Sequence, residues 1–259
     1  MPAAHQILDP ATPRSLQPGI CALSVMTKAP RAGKVKTRLS PPLAPEEAAA
    51  LNTCFLRDTA AAIAITAREG RAKGVGVYTP VGEEAAYEGI LPHEFQLIPQ
   101  RGDAFGERLI FAMEDLLQVG FSAACLIDSD SPTVPQSTYA EAVAMLAGDG
   151  DRVVVGPSDD GGYYLIGMKQ LHRRLFEEID WSTERVFDQT VERARQSGIA
   201  VHLLPTWYDV DDRATLRRLC DELLGETAAD ANGFQATHTR DFLAEIIARE
   251  GRARIWPNE

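Results

Sequence analysis

Between Lys28 and Arg38 the chain places five basic residues, Lys28, Arg31, Lys34, Lys36 and Arg38, with no acid among them. No Asp or Glu occurs anywhere between Pro10 and Pro45, although the chain has 37 acids and 26 bases. Cations crowded in this way repel one another unless an anion is to be bound. Gly33 lets the backbone approach a phosphate closely. Arg38 offers a bidentate fork to phosphate oxygens, and lysines act as point charges. The alternative is a solvated basic loop. Neither the P-loop pattern G-x-x-x-x-G-K-[ST] nor a G-x-G-x-x-G fingerprint follows this strand, so those two phosphate-binding modes are excluded.

Three acidic clusters follow. Asp128-Ser129-Asp130-Ser131-Pro132 puts two carboxylates two residues apart at a strand end, where they could ligate Mg²⁺ or Mn²⁺ or simply form a turn. Asp209-Val210-Asp211-Asp212 could converge on the same metal, with Asp212 capping the next helix. Asp159-Asp160-Gly161-Gly162 makes a tight turn that could bind an acceptor and supply a general base, or be a polar turn between strands. Trp181 could stack on a substrate ring or serve the core, and Ser182 reads as a helix N-cap.

The elements that must hold these residues alternate between strand and helix. Strands are expected at 20–26, 74–79, 95–98, 123–127, 152–155, 163–168 and 200–204. Helices are expected from Pro45 and at 105–117, 136–146, 171–178, 183–196, 213–224 and 239–249. Pro45-Glu46-Glu47 suits a helix start, with proline in the first turn and acids at the positive end. The alternation implies an α/β layered sheet, and in such sheets ligands bind beyond the carboxyl ends of the strands. The basic loop and the Asp128 cluster both follow strands directly.

Composition narrows the class. The 259 residues are 45% hydrophobic, enough for a sizeable core, and the net charge of -11 argues against a nucleic-acid partner. Cys21, Cys54, Cys125 and Cys220 form no C-x-x-C pair, which fits a reducing cytoplasm rather than a zinc or redox motif. No apolar run reads as a membrane span and no secretory signal is evident. Residues 1–18 read as a mobile tail, and 19–259 as one domain with a helical extension from about 225. The helix around Phe242, Ile246 and Ile247 could cover the sheet or form a homodimer contact.

In order along the chain, Lys28-x-Pro30-x-x-Gly33-x-Val35-Lys36-Thr37-Arg38-Leu39, Gly102-Asp103-Ala104-Phe105-Gly106-Glu107-Arg108, Asp128-Ser129-Asp130-Ser131-Pro132, Gly156-Pro157-Ser158-Asp159-Asp160-Gly161-Gly162-Tyr163-Tyr164 and Trp181-Ser182-Thr183 resemble one group. That group is a bacterial set within the GT-A glycosyltransferase superfamily, formerly a domain of unknown function and named for arsenosugar biosynthesis. It is related to nucleotidyltransferases of the molybdenum-cofactor guanylyltransferase type. The likeness covers roughly residues 20 to 225.

The resemblance implies a Rossmann-like GT-A domain with a mixed, mostly parallel sheet, and Mg²⁺ or Mn²⁺ on a nucleotide diphosphate. It implies nucleotide binding by Lys28, Gly33, Lys36, Thr37, Arg38 and Asp103. Asp130 and Asp211 match metal-binding acids, with Asp128 standing where the group commonly has glycine. Asp160, or else Asp159, is the expected base, with Gly161, Gly162 and Trp181 at the acceptor. The implied activity is sugar transfer from a nucleotide sugar to a small-molecule acceptor. The alternative is nucleotidyl transfer from a nucleoside triphosphate to a phosphorylated small molecule.

Overall fold

The computed structural model describes residues 5–12, 18–225 and 232–255. Within them eight strands form one sheet: β1 (Gln6–Ile7), β2 (Cys21–Lys28), β3 (Ala72–Thr79), β4 (Gln96–Pro99), β5 (Ala123–Ile127), β6 (Arg152–Pro157), β7 (Tyr163–Met168) and β8 (Ala200–Leu203). Their order is β1-β4-β3-β2-β5-β7-β6-β8. Only β7 runs antiparallel to its neighbours, pairing Ile127 with Leu165 on one side and Val155 with Ile166 on the other. The sheet is therefore mixed and mostly parallel.

Among the described residues six α-helices flank it: α1 (Pro45–Ala67), α2 (Phe105–Gln118), α3 (Gln136–Ala147), α4 (Val186–Gln196), α5 (Arg213–Leu224) and α6 (Thr237–Glu250). Each strand supplies both faces of the sheet, because successive side chains point to opposite sides. Cys21, Leu23 and Val25 of β2 face Leu56 and Ile63 of α1 and Tyr139 and Val143 of α3. Ala22 of β2 faces the other layer, with Leu109, Met113 and Leu116 of α2 and Ala194 of α4. Pro45 occupies the first turn of α1, and Glu47 accepts from the Ala44 N–H at 2.9 Å. This satisfies a donor that the helix start would otherwise leave unpaired.

By length and mean hydropathy of 1.2, α1 could cross a membrane, a property that no apolar run was expected to have. In this fold it is a core helix, burying Leu51, Phe55, Leu56 and Ile63. The C-terminal helix α6 packs in a third cluster, where Leu243 and Ile246 meet Phe55 of α1 and Leu216 and Leu219 of α5. Asp58 fastens its start by accepting from the His238 and Thr239 N–H groups at 3.1 and 2.8 Å.

Two expectations need correction. The mobile tail is partly an edge strand: β1 pairs with β4, the Leu8 N–H donates to the Leu97 carbonyl at 2.7 Å, and Leu8 is buried. A run of two strand residues is too short to show a period, so the pairing left no pattern to read. Residues 1–4 and 13–17 of that expected tail lie outside the described residues, as do 226–231 at the start of the expected extension. The helix expected at 171–178 is only a 3-10 turn, Arg173–Phe176. Leu175 and Phe176 bury against the α2 layer, and the chain then turns extended at Glu177 and left-handed at Glu178.

Candidate functional site

The carboxyl ends of β2, β5 and β6 bring the basic loop and the acidic clusters into two adjoining basins. The first, about 310 Å³, is lined by Lys28, Lys34, Val35, Lys36, Thr37, Arg38 and Asn52, with Ser129, Asp130 and Asp211 on its far wall. The second, about 400 Å³, runs from Arg38, Asp130 and Asp211 past Asp160 and Asp209 to Phe105 and Trp181. Arg38, Asp130 and Asp211 belong to both.

Lys36 is the hinge of this arrangement. It adopts a left-handed backbone, φ 48°, at the start of the short 3-10 turn Thr37–Leu39. Its side chain, 4% exposed, turns inward. The ammonium lies 2.9 Å from Asp130 Oδ1, 2.9 Å from Asp211 Oδ1 and 2.7 Å from the Val210 carbonyl. Burial pushes the Lys36 ammonium down, but Asp130 and Asp211 more than reverse this, leaving its pKa above the ordinary lysine value. Arg31 turns the opposite way, onto Glu83. Lys28 and Lys34 line the first basin in no ion pair among the described residues, and Arg38, which also lines it, lies 3.7 Å from Asp211.

The acids are packed tightly enough to shift one another. Desolvation, then Asp130, push the Asp128 carboxyl well above the usual range, while the Ser131 hydroxyl donates to it at 2.8 Å. Asp209, expected only as one member of the Asp209–Asp212 cluster, accepts from the Ser158 hydroxyl at 3.1 Å. Burial, then the charges of Asp160 and Asp211, raise its pKa to about 6. Its signal in the sequence was the D-x-D spacing with Asp211. Lys34 and Glu184 also line the basins, the first readable from the basic run and the second carrying no pattern.

The turn after β6 is fastened at several points. The Asp159 N–H donates to the Trp207 carbonyl at 3.0 Å, and the Phe187 N–H donates to the Gly161 carbonyl at 2.8 Å. Gly161 has φ +89°, and a Cβ there would lie 2.2 Å from the Glu184 carbonyl oxygen, so only glycine fits. The two acids of the turn then diverge. Asp159 pairs with Arg218, itself stacked 3.8 Å from the Tyr208 ring, and does not line either basin. Asp160 accepts the Gly162 N–H on Oδ1 at 2.8 Å and faces the second basin.

Trp181 stands edge-on to Phe105 with ring centroids 5.1 Å apart. It comes so near Gly106 that a Cβ there would be 2.7 Å from its indole nitrogen. Ser182 is left-handed, φ 64°, and α4 begins only at Val186 with Arg185 before it, so Ser182 is not an N-cap. Asp212 is one, accepting the Thr215 N–H at 2.9 Å. Asp103 lines neither basin; its backbone N–H and carbonyl are taken by Glu107 and Arg108 at the start of α2. Gly33 has φ +68° with open space around it, on the loop that carries Lys34 and Lys36.

Among the described residues no three Asp, Glu, His or Cys side chains surround a common point as a metal cage. The donors suit Mg²⁺ or Mn²⁺ nonetheless. They are carboxylate oxygens only, and such ions need just one or two from the protein. Lys36 shows that positive charge is favourable between Asp130 and Asp211.

A family profile described as "Uncharacterized protein conserved in bacteria (DUF2064)" matches residues 62–183. A candidate nucleotide-diphospho-sugar transferase from Desulfovibrio desulfuricans G20 is 28% identical at a TM-score of 0.75, covering 90% of this chain and 98% of its own. A nucleotidyl transferase from Methanothermobacter, 15% identical at a TM-score of 0.53 over 80% of this chain and 98% of its own, shares the fold alone. Glucosyl-3-phosphoglycerate synthase from Mycobacterium tuberculosis, in a complex with Mn²⁺ and UDP, lies further off. It has 11% identity and a TM-score of 0.46, over 90% of this chain and 81% of its own. No curated protein matches the chain. The fold is that of the nucleotide-diphospho-sugar transferases.

Proposed function

We propose that the protein transfers a sugar from a nucleotide-diphosphate sugar to the hydroxyl of a small acceptor, with the help of Mg²⁺ or Mn²⁺. One observation carries this reading: a basin lined by Lys28, Lys34 and Arg38 adjoins, across Asp130 and Asp211, a second basin that holds the Asp160 carboxylate. The first has the charge to hold a diphosphate, and the second the base to activate an acceptor. The likeness to the Desulfovibrio protein and the order of motifs resembling the arsenosugar-associated group support the same reading. The four free, buried cysteines support a reducing, cytoplasmic setting.

In this mechanism Lys28, Lys34 and Arg38 bind the diphosphate oxygens and stabilise the charge that develops as the diphosphate leaves. Asp130 and Asp211, with Asp128 and Asp209 behind them, would hold the divalent ion. When bound, that ion neutralises the departing diphosphate as a Lewis acid. Asp160 takes the proton from the acceptor hydroxyl on its free oxygen, while the Gly162 N–H fixes the other. Phe105 and Trp181 enclose the acceptor and exclude water from that side.

The test is incubation of the full chain with a panel of nucleotide sugars and Mn²⁺, reading donor loss and donor binding. Donor binding with slow hydrolysis is expected, and neither across the panel would overturn the reading. Nucleotidyl transfer is the competing reaction, and acceptor-dependent pyrophosphate release from a nucleoside triphosphate would identify it.

A further inference from the structure

The second basin has a strongly one-sided charge. Asp160, Asp209 and Glu184 stand on its walls together with Asp128, Asp130 and Asp211, and Arg38 at the shared mouth is the one cation among its lining residues. Arg38 is 75% exposed and already 3.7 Å from Asp211. Other cations on the adjoining turns are turned away: Arg185 lies 3.1 Å from Asp180, and Arg218 is bound to Asp159. Lys36 is spent between Asp130 and Asp211. Glu184 and Asp160 make no ion pair among the described residues.

Two aromatic side chains, Phe105 and Trp181, line the same basin. Trp181 and Phe105 meet edge to face, and Gly106 brings Trp181 against the start of α2 without a side chain between them. Phe105 is 50% exposed, a large apolar ring left open at the basin's rim. Aromatic faces beside carboxylates suit hydroxylated rings, which present C–H faces to the one and O–H groups to the other, and they attract cations through the ring quadrupole.

We propose that this basin selects its acceptor by charge: it takes a neutral or cationic polyhydroxylated molecule and rejects a phosphorylated one. This rests on the transfer reading above and deepens it, because it separates sugar transfer to an uncharged acceptor from nucleotidyl transfer to a sugar phosphate. The first basin, with Lys28 and Lys34, receives the anionic partner. The second repels one, since a phosphate dianion beside Asp160 and Glu184 would face carboxylates that no ion pair neutralises, while Arg38 at the mouth already leans on Asp211.

Three ring-matched probes test it: glucose, glucosamine and glucose 6-phosphate, titrated into the full chain without nucleotide and followed by ligand-observed NMR. Glucosamine is expected to bind most tightly and glucose 6-phosphate at least ~10-fold more weakly, as like-charge juxtaposition disfavours a partner by this order or more. Glu184→Lys, at an exposed position, should shift the ratio of the two back toward the phosphate by about tenfold, and Trp181→Ala should weaken all three. Equal or tighter binding of glucose 6-phosphate to the wild type would overturn the proposal. So would an unchanged ratio in Glu184→Lys, or no binding of any probe. Nucleotide is absent from this titration, so a failure of donor binding is read separately and bears on the transfer reading instead.

Discussion

Replacing Lys36 with methionine is the sharpest test of how the acids are held together. Methionine keeps the buried stem and removes the charge. Asp130 Oδ1 and Asp211 Oδ1 are each 2.9 Å from the lost nitrogen, so they stand within about 6 Å of each other, and at an effective dielectric near 20 their repulsion is about 3 kcal/mol. The Val210 carbonyl loses its donor as well, worth about 1 kcal/mol. Both carboxylates keep water contact, at 35% and 42% exposure, which screens the repulsion and brings the expected loss to about 2 kcal/mol. For a chain of this length that is a fall in Tm of roughly 4–8 °C.

The assay is thermal unfolding in EDTA and again with millimolar Mg²⁺. Lys36→Met should melt lower in EDTA and recover more than the wild type on adding Mg²⁺, because a divalent ion then supplies the missing charge. A variant that melts with the wild type in EDTA would refute the account of Lys36 as the internal counter-ion. Equal Mg²⁺ stabilisation of both proteins would refute the claim that the ion uses Asp130 and Asp211.

Asp160→Asn should lower kcat by about 100-fold or more while leaving nucleotide affinity within a few-fold, as expected for loss of a general base; a parallel loss of nucleotide binding would place Asp160 in the first basin. Asp209 holds its proton up to about pH 6. A raised carboxylate pKa favours the fold fully only below the usual pH of about 4 and loses that contribution as pH rises through about 6. Asp209→Asn should therefore be more stable than wild type at pH 7.5 by about 1–2 kcal/mol after screening, with the gain fading towards pH 4; a gain that does not change with pH would show that the proton is not the cause. Metal affinity of the wild type, read by calorimetry, should also fall as pH drops below about 6. Gly161→Ala should destabilise by about 2–3 kcal/mol or more through strain at positive φ and the clash with Glu184, and a melting point equal to wild type would mean the turn is looser than described.

Most of the layered fold could be read from apolar runs. β5 and β7 are buried strands flanked by turn residues, and α5 carries both its cap, Asp212, and its apolar spacing at Leu216, Leu219, Cys220 and Leu223. The residue types alone do not say which of two adjacent acids faces the cleft; the resemblance ranked Asp160 ahead of Asp159. Asp159 and Asp160 are chemically alike, and the choice is made by Arg218, 59 residues away in sequence, drawing Asp159 aside. Lys36 likewise looked like one more phosphate ligand, because a run of cations does not reveal that one of them turns inward. Asp103 was carried by a motif whose backbone role at the start of α2 serves the helix itself.

Lys36 also joins two binding events into one. It belongs by sequence to the basic loop and by contact to the acids proposed to hold the cation. A nucleotide that drew the loop towards its phosphates would alter the charge left at Asp130 and Asp211, and an ion bound there would free the ammonium for the phosphates. Linkage requires that the factor by which nucleotide changes ion affinity equal the factor by which ion changes nucleotide affinity. On the proposed reading the two ligands would be bound as a thermodynamic pair through a single side chain, with neither affinity defined until the concentration of the other is stated.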